Sequence, residues 1–187
     1  KIKINLLCAN NNSSKIIRQS FRYSPKYIYL NNEKKFHYLK KNINPKTKIL
    51  NLDEMKAYLR ESKSDLTILA VSGYKSLNYL NLILHNTNSL GLVSKECIVS
   101  AGHLFKNYKK NLIKKIYPLD SEHFSLFNFF QNNKSNQVEE LILTASGGPF
   151  LGNKFSSLSK VTFKEAANHP KWKMGYKNSI DSATLVN

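Results

Sequence analysis

Short apolar runs alternate with amphipathic stretches through the first half of the chain. The apolar runs are rich in Ile, Leu, Val and Tyr and predict strands at residues 2–8, 27–30, 48–51, 66–71 and 90–93. The stretches between them predict helices at residues 13–22, 33–41, 53–62 and 75–85. Ser13 or Ser14 is a candidate cap for the first helix, and Asp53 for the third. Such an alternation is typical of parallel strands joined by helices in an α/β fold.

The pattern changes near residue 119. A helix is predicted at residues 96–109, a strand at 112–119, a helix at 122–131 and a strand at 139–144. Residues 151–175 are polar and contain glycine and proline, with only a short helix predicted at 163–168, so we expect this stretch to be mobile. We therefore predict two domains, a parallel-sheet domain over residues 1–119 and an α+β domain over residues 120–187.

The formal net charge of +17 at pH 7 raises the question of nucleic-acid binding. Only Arg18, Arg22 and Arg60 are arginines, so lysine carries most of this charge. Surfaces that read bases or clamp phosphates favour arginine, because its planar guanidinium forms paired hydrogen bonds. Asn, Ile, Phe and Tyr are abundant too, as AT-rich codon usage would produce. The charge therefore gives little support to a nucleic-acid-binding protein.

The remaining bulk properties fit a globular protein with reduced thiols. Hydrophobic residues make up 41% of the chain, which is enough to bury a core. There is no run of about eighteen apolar residues, so no membrane span is predicted, and the first residues are too interrupted for a signal peptide. Cys8 and Cys97 each lie in an apolar run, so we expect two buried, reduced cysteines.

Two carboxylates follow the strand predicted at residues 112–119. Because side chains alternate along a strand, Asp120 and Glu122 would project to one side at its carboxyl end, where open α/β sheets usually bind ligands. Carboxylates so placed repel each other unless a proton or a cation lies between them, and Mg²⁺ or Mn²⁺ suits such oxygen ligands. On spacing alone, a helix start capped by Asp120 or Ser121 is the better explanation.

Other segments carry residues that could bind a ligand. Residues 145–150 place a serine and two glycines after a predicted strand, so amides and a hydroxyl could hold an anion, although a tight turn is the simpler explanation. Residues 169–175 combine a histidine, the only tryptophan and two lysines, as in a lid over a substrate. The alternative is that Trp172 anchors this loop in the core. The segments at residues 10–12 and 95–96 are not specific by themselves.

Taken in chain order, these segments resemble one family, the 1-deoxy-D-xylulose 5-phosphate reductoisomerases of non-mevalonate isoprenoid biosynthesis. The matching residues are Ser94-Lys95-Glu96, Pro118-Leu119-Asp120-Ser121-Glu122-His123, Ser146-Gly147-Gly148-Pro149-Phe150, His169-Pro170-Lys171-Trp172-Lys173-Met174-Gly175 and Asp181-Ser182-Ala183-Thr184, with Tyr23-Ser24-Pro25-Lys26-Tyr27 near the start. These motifs, in order and at roughly the family spacing, outweigh the simpler explanation of each one. The resemblance covers essentially the whole chain and is densest after residue 90.

The resemblance implies a Rossmann-like dinucleotide-binding portion followed by an α+β catalytic portion. The divalent metal would bind to Asp120 and Glu122, and the catalytic side chains would be Lys95, Glu122 and His169. The residues that would hold the substrate are Lys95, Ser121, Glu122, Ser146, His169, Ser182 and Asn187. Those that would lie against NADPH are Asn10, Asn11, Asn12, Ser94, Glu96 and Gly175. Trp172 would belong to a closing lid.

The same resemblance implies a reaction and a setting. With NADPH and Mg²⁺ or Mn²⁺, 1-deoxy-D-xylulose 5-phosphate would rearrange to an aldehyde, and its reduction would give 2-C-methyl-D-erythritol 4-phosphate. The expected partner is this small phosphorylated sugar, with no nucleic acid and no membrane. The setting would be a bacterial cytoplasm or a plastid. The family is commonly dimeric, so a homodimer is compatible with the resemblance.

The chain also departs from the family pattern. The Gly-rich dinucleotide loop that opens the family is not in the chain, and the chain stops at Asn187, before the lysine and glutamate that complete the family's phosphate and metal sites. The turn usually written Gly-Lys-Asn is Asn10-Asn11-Asn12, and Ser94 replaces the usual Asn. We therefore expect a fragment that lacks both ends and is inactive alone. The alternatives are a non-catalytic remnant of such an enzyme and, less favoured, a basic nucleic-acid-binding protein.

Overall fold

The computed structural model describes residues 2–107, 110–113 and 115–185. The chain divides into two compact units. The first unit comprises Lys1–Asp65 with His85–Thr87, and the second comprises Leu66–Leu84 with Asn88–Asn187. This division differs from the boundary at residue 119 that the sequence pattern indicated. The predicted domain boundary at residue 119 stays a prediction.

A three-stranded parallel sheet in the order β1-β2-β3 lies at the centre of the first unit. Its strands are β1 (Leu6–Ala9), β2 (Tyr27–Leu30) and β3 (Lys48–Leu50). The helices that follow them are α1 (Ser13–Tyr23), α2 (Phe36–Asn42, after a 3-10 turn at Glu33–Lys35) and α3 (Leu52–Glu61). The register places Tyr27 opposite Leu6 on one side and Lys48 on the other. The predicted succession of strands and helices is thus confirmed.

The core of this unit forms around the central strand. Ile28 and Leu30 of β2 are buried together with Ile16 of α1 and Leu39 of α2. A strand covered on both faces has no polar face to present, which explains why β2 is an uninterrupted apolar run. Full burial of each such aliphatic side chain stabilises the fold by about 1.5–3 kcal/mol.

Asparagines begin two of these helices, where the sequence had suggested other caps. Asn12 Oδ1 accepts a hydrogen bond from the backbone N–H three residues later at 2.9 Å, so Ser13 and Ser14 lie inside α1. Asn51 caps α3 and exchanges hydrogen bonds with the glutamate three residues later, which leaves Asp53 in the first turn. In both cases the cap is the residue just before the first helical turn, where a short side chain reaches the unpaired N–H groups.

A second three-stranded parallel sheet has the order β4-β5-β6. Its strands are β4 (Ser64–Leu69), β5 (Thr87–Leu92) and β6 (Ile116–Pro118). The register of β5 and β6 places Leu90 opposite Ile116. The helices of this region are α4 (Leu77–Leu84, after a 3-10 turn at Tyr74–Ser76), α5 (Glu96–Ala101, continued by a 3-10 helix at Gly102–Asn107) and α6 (Lys110–Ile113). Because β5 and β6 run in parallel, their carboxyl ends lie at one edge of the sheet.

Helices and turns follow β6. The helices are α7 (Ser121–Asn132), α8 (Phe163–Ala166) and α9 (Tyr176–Thr184), and the 3-10 turns are Ser135–Gln137, Gly148–Phe150 and Phe155–Lys160. The turn at Gly148–Phe150 packs against α9, which brings the predicted anion-binding loop to that helix. Among the helices of the described residues, none is long and apolar enough to cross a membrane.

The structure corrects several predicted elements. Residues 139–144 form no strand within the described part of the chain, and Leu141, Ile142 and Leu143 are exposed. Apolar composition favours a strand, but a strand also needs a neighbour to pair with its backbone groups. Of the strand predicted at residues 112–119, only Ile116–Pro118 (β6) forms in the described structure. The helix predicted at residues 96–109 changes to 3-10 geometry after Ala101, and residues 108 and 109 lie outside the described residues.

Candidate functional site

Lys95 is a buried cation beside the carboxyl ends of β5 and β6. It is the last residue before α5, and its side chain is 8% exposed. Its Nζ lies 3.4 Å from Asp181 Oδ2 and 3.7 Å from Asp120 Oδ2. A buried ammonium group needs compensating charge, which these two carboxylates supply. The structure thus brings two of the predicted site residues, Lys95 and Asp120, into one cluster.

Asp120 and Glu122 stand at the beginning of a helix and not along a strand. β6 ends at Pro118, Asp120 is the residue before α7, and Glu122 lies in the first turn of that helix. The argument from alternation along a strand was therefore wrong, and the interpretation as a helix start is correct. The side chain of Asp120 makes no capping hydrogen bond, so it is not used to begin the helix. Asp120 is instead turned towards Lys95 and Glu122.

The hydroxyl of Ser121 fixes the Glu122 carboxylate by donating a hydrogen bond to Oε2 at 2.6 Å. This bond is the largest influence on the pKa of Glu122 and lowers it. Burial opposes the shift, and the nearby Lys95 ammonium adds to the lowering. Glu122 is accordingly ionised at neutral pH. Asp120 Oδ1 is buried and has no hydrogen-bond donor in the described part of the chain, although His123 Nδ1 lies 3.5 Å away.

A divalent cation fits this pair of carboxylates. Both supply the hard oxygen atoms that Mg²⁺ and Mn²⁺ prefer. The buried Asp120 Oδ1 has no hydrogen-bond donor among the described residues, so a cation could satisfy it. Residues 2–107, 110–113 and 115–185 contain no group of three or more His, Cys, Asp or Glu side chains arranged to enclose a metal ion. Asp120 and Glu122 would therefore be two ligands of a cation that takes its other ligands from water, substrate or further groups.

Lys177 of α9 adds a second cation, which the sequence analysis missed. Its Nζ lies 2.7 Å from Asp181 Oδ2 and 2.9 Å from Glu96 Oε1. Burial would lower the pKa of Lys177, but the hydrogen bonds to Asp181 and Glu96 outweigh it and raise the pKa. Burial would likewise raise the pKa of Glu96, yet the bond from Lys177 contributes to a net lowering. The one available sequence signal was the spacing of four between Lys177 and Asp181 on a helix.

Two of the predicted cofactor residues of the second unit, Ser94 and Glu96, border the same cleft. The cleft has a volume of about 380 Å³, and its walls include Ser94, Lys95, Glu96, Asp120, Ser121 and Asp181. Ser94 donates a hydrogen bond to the carbonyl of Val71 and is buried. Glu96 Oε2 is buried and has no hydrogen-bond partner among the described residues, so it could accept a hydrogen bond from a hydroxyl or amide group of a nucleotide. Gly175 precedes α9 and has open space where a side chain would be.

The asparagine turn after β1 belongs to the first unit. The side-chain oxygens of Asn10 and Asn11 accept hydrogen bonds from the amides of Asn31 and Asn32, at 2.9 and 2.6 Å. Lys35 Nζ donates to the carbonyl of Asn11 at 2.9 Å. A lysine therefore stands beside the turn in which asparagine has replaced the lysine of the family pattern.

Ser146, His169 and Ser182 meet in a second polar cluster. The hydroxyl of Ser146 lies 3.1 Å from His169 Nε2 and 2.7 Å from the hydroxyl of Ser182. These residues come from a loop, from the segment after α8 and from α9, so only the folded chain brings them together. Two hydroxyls and a ring nitrogen that converge in this way can donate hydrogen bonds to the oxygens of one anion.

The surroundings of His169 define its tautomer. Its Nδ1 accepts hydrogen bonds from the backbone N–H groups of Lys171 at 3.2 Å and Trp172 at 3.1 Å. An accepting nitrogen carries no proton, so in the neutral ring the proton is on Nε2, which faces Ser146. The ring of Trp172 stacks on the imidazole with a centroid separation of 4.7 Å and an angle of 12°. Trp172 is 56% exposed, so the alternative that it is anchored in the core is wrong.

Two consecutive glycines shape the loop that carries Ser146. Gly147 and Gly148 have φ values of +79° and +63°, which side chains rarely adopt. This conformation turns the chain back, so that the N–H of Gly148 donates to Ser146 Oγ at 3.4 Å. The glycines thereby hold the hydroxyl of Ser146 towards His169 and Ser182.

Three predicted residues fall outside these clusters. Asn187, expected to bind substrate, lies outside the described residues. Cys97 is buried as predicted, and this burial raises the pKa of its thiol. Cys8 is exposed, contrary to the prediction, because it lies on the outer face of β1.

Comparison with known protein families gives two matches that together span most of the chain. The family described as 1-deoxy-D-xylulose 5-phosphate reductoisomerase matches residues 1–102. The C-terminal domain of 1-deoxy-D-xylulose 5-phosphate reductoisomerase matches residues 116–187.

Individual relatives agree. The chain is 36% identical to the 1-deoxy-D-xylulose 5-phosphate reductoisomerase of Thermoanaerobacter pseudethanolicus over 181 residues, which is 97% of this chain and 47% of the relative. It is 38% identical to that of Buchnera aphidicola subsp. Schizaphis graminum over 199 aligned residues, covering 99% of this chain and 50% of the relative. The chain thus spans about half the length of the curated relatives it matches.

Solved structures with similar folds carry the same name. One is a DOX-P reductoisomerase in complex with NADPH, fosmidomycin and magnesium, with a TM-score of 0.73, 28% identity and coverage of 98% of this chain and 48% of that one. Another is the Zymomonas mobilis enzyme in complex with NADPH, with a TM-score of 0.76, 26% identity and coverage of 98% and 47%. The expected α/β fold is thereby confirmed.

Proposed function

This chain belongs to the 1-deoxy-D-xylulose 5-phosphate reductoisomerase family, and from that premise we propose that it supplies the metal-binding, phosphate-binding and part of the NADPH-binding surface of such an enzyme. The reaction converts 1-deoxy-D-xylulose 5-phosphate into 2-C-methyl-D-erythritol 4-phosphate. The carbon skeleton rearranges to an aldehyde, and a hydride from NADPH with a proton reduces the aldehyde to an alcohol. The overall step belongs to non-mevalonate isoprenoid biosynthesis.

One observation carries this proposal. Asp181 and Ser182 are consecutive residues of α9, and each belongs to a different cluster. Asp181 contacts Lys95 in the carboxylate cluster, and Ser182 contacts Ser146 in the hydroxyl and imidazole cluster. A small molecule with an anionic phosphate at one end and oxygen atoms at the other could therefore span both clusters.

The carboxylate cluster would act on the reacting end of the substrate. Asp120 and Glu122 would hold Mg²⁺ or Mn²⁺, which supplies Lewis-acid polarisation of substrate oxygens when it is bound. Ser121 fixes the Glu122 carboxylate in its ionised state for this role. Lys95 is a buried cation at the same place and would contact a substrate oxygen on which negative charge develops.

The second cluster would hold the phosphate. Three groups can donate hydrogen bonds to phosphate oxygens, namely the hydroxyls of Ser146 and Ser182 and the Nε2–H of His169. Trp172 is stacked on His169 and remains largely exposed. Because its ring is not packed in the core, it can move over the bound phosphate. Glu96, Ser94 and Gly175 would border the nicotinamide cofactor. The role of the asparagine turn in binding NADPH stays a prediction.

The comparisons do not favour a nucleic-acid-binding protein or a non-catalytic remnant. The matched relatives are enzymes by name, and the chain retains the charged and hydroxyl side chains described above. Homodimerisation, the choice between Mg²⁺ and Mn²⁺, and the location in a bacterial cytoplasm or a plastid stay predictions.

Calorimetric titration with 1-deoxy-D-xylulose 5-phosphate in the presence of Mg²⁺ tests the assignment of the phosphate cluster. The variant Ser182→Ala removes one donor, and hydrogen bonds to charged groups contribute about 1.5–3 kcal/mol, so we expect affinity to fall about 10- to 100-fold. The exposed Ser156→Ala is the matched control and should bind as the unmodified protein does.

Dephosphorylated 1-deoxy-D-xylulose separates the two clusters. Because this sugar lacks the phosphate, its weaker binding should be insensitive to Ser182→Ala but sensitive to Asp120→Asn. Equal losses for both sugars in Ser182→Ala, or no loss for either, would count against the phosphate assignment.

A further inference from the structure

Lys95 lies between two carboxylates that have different neighbours. Asp120 is a proposed metal ligand, whereas the function proposed above gives Asp181 no contact with the metal, the substrate or the cofactor. The Lys95 ammonium is 3.7 Å from Asp120 Oδ2 and 3.4 Å from Asp181 Oδ2. Its side chain is 8% exposed, so solvent contributes little to its stabilisation.

The charges around Lys95 do not balance. Two ammonium groups, Lys95 and Lys177, face four carboxylates, which are Glu96, Asp120, Glu122 and Asp181. Carboxylates therefore outnumber ammonium groups in this cluster, and the imidazole of His123 lies 3.5 Å from Asp120 Oδ1. A divalent cation at Asp120 and Glu122 would offset this excess of carboxylates, which is costly in a partly buried cluster.

A cation on Asp120 also creates a conflict with Lys95. Like charges that lie close together in a partly buried site repel each other, and the charge of two on the metal doubles this repulsion relative to a single charge. The ammonium is therefore better placed on a carboxylate other than Asp120 when a cation takes Asp120. Asp181 already lies within contact distance on the far side of Lys95.

We propose that Asp181 is a positioning residue that receives the Lys95 ammonium when a divalent cation binds to Asp120. This inference rests on the proposed function, in which Asp120 is a metal ligand. Without Asp181, Lys95 would lose the nearer of these two carboxylates and would compete with the cation for Asp120. With Asp181, Lys95 stays in the cleft beside the metal without occupying its ligand.

Lys177 holds Asp181 in the position that this role requires. It lies one helical turn before Asp181 and contacts the same oxygen, Oδ2, at 2.7 Å. Its other contact, Glu96 at 2.9 Å, ties it to the first turn of α5. The Asp181 carboxylate is therefore fixed from its own helix while its Oδ2 remains shared with Lys95.

The affinity for Mn²⁺, measured from the electron paramagnetic resonance signal of the free ion, tests the proposal without any turnover. Asp181→Asn should weaken Mn²⁺ binding by about tenfold or more, in the range seen when residues that support metal ligands are changed. Glu96→Gln is the matched control, because Glu96 contacts the same Lys177 and carries the same charge, whereas the ion pairs of Lys95 are with Asp120 and Asp181. Its effect should be clearly smaller.

A double-mutant cycle isolates the role of Lys95. In a Lys95→Met background the competing ammonium is gone, so Asp181→Asn should weaken Mn²⁺ binding no more than Glu96→Gln does. The proposal is overturned if the two carboxylate variants weaken binding equally in the unmodified protein. It is also overturned if the effect of Asp181→Asn is the same with and without Lys95.

The Mn²⁺ measurement also has to deal with two other results, an unchanged affinity in Asp120→Asn and an Asp181→Asn variant that does not fold. If Asp120→Asn leaves Mn²⁺ binding unchanged, the metal assignment itself fails, and the role of Asp181 fails with it. If Asp181→Asn does not fold, judged by its circular dichroism, NMR of the unmodified protein gives the answer. On addition of Mg²⁺ the scalar coupling between Lys95 Nζ and a carboxyl carbon should appear at Asp181, and a coupling that remains at Asp120 would overturn the proposal.

Discussion

A Cβ atom placed on Gly148 would lie 2.7 Å from the carbonyl oxygen of Ser182. The same atom would lie 2.9 Å from Cα of Ala183, so the loop and α9 meet backbone to backbone. Glycine is required here both for its φ of +63° and for this close approach. The contact holds Ser146 and Ser182 within hydrogen-bond distance, and the phosphate cluster depends on it.

Gly148→Ala should therefore separate the loop from α9. We expect the free energy of unfolding to fall by about 1–2 kcal/mol from the left-handed backbone and by a further 1–3 kcal/mol from the steric overlap. Gly152→Ala is the matched control, because Gly152 also has a positive φ, +82°, but open space around it. Urea unfolding of both variants measures the difference. Equal losses would show that the close approach to Ser182 contributes nothing.

The sequence predicted the elements of the first sheet well because each has a strong local signal. The strand at Tyr27–Leu30 was bounded correctly, since a central strand covered on both faces is an unbroken apolar run. Residues 139–144 have similar local signals but form no strand in the described structure, because pairing depends on a neighbour that composition does not reveal. The caps at Asn12 and Asn51 were missed because several polar residues stand close to each helix start.

The candidate site was predictable only where residues form a motif. Asp120, Ser146 and Ser182 came from short motifs in a recognisable order, whereas their mutual geometry came only from the fold. Lys177 and the role of Asp181 between two lysines were not predictable. One lysine among many gives no signal until a structure shows which carboxylates it contacts.

Trp172 offers an optical measurement of the loop at residues 169–175, since it is the only tryptophan. Its exposed ring should give a red-shifted emission that acrylamide quenches readily, and a bound phosphate ligand should make the emission bluer and less accessible. The loop is expected to order over the ligand because polar loops with few apolar contacts open at low cost.

His169→Asn is the control for the fluorescence experiment. It removes the stacked imidazole at 4.7 Å and a donor to the phosphate, so the response to the ligand should disappear. A blue-shifted, quencher-resistant emission without ligand would contradict the exposed position of Trp172. A ligand response that persists in His169→Asn would contradict the lid.

The bridge from Lys177 to Glu96 and Asp181 should give stability a defined pH window. Burial would raise the pKa of Glu96, but the Lys177 hydrogen bond helps to outweigh it, so the pKa is lowered in the fold. The stability that the ionised Glu96 contributes is therefore present above the ordinary pKa of 4.5 and is lost as pH falls through the lowered pKa. The pKa of Lys177 is raised, since its carboxylate partners outweigh burial. Its contribution is therefore present below 10.5 and lost as pH rises through the raised pKa.

Lys177→Met should accordingly be less stable than the unmodified protein by about 1 kcal/mol between these pH values. The difference should shrink in acid and in strong alkali when both proteins are unfolded by urea over a pH series. Lys48→Met is the control, because Lys48 pairs with an exposed Glu54 in the first unit and should matter less. A difference that does not change with pH would mean that Lys177 acts through packing and not through charge.

Product formation tests the central claim most directly. The complete protein that carries this sequence is supplied with 1-deoxy-D-xylulose 5-phosphate, NADPH and Mn²⁺, and 2-C-methyl-D-erythritol 4-phosphate is identified by NMR while NADPH oxidation is followed by absorbance. The account predicts one product molecule for each NADPH oxidised, and a loss of about 100-fold or more in Asp120→Asn or after chelation of the metal, since a bound metal stabilises such a transition state by several kcal/mol. No product, or the same rate in Asp120→Asn as in the unmodified protein, would contradict it.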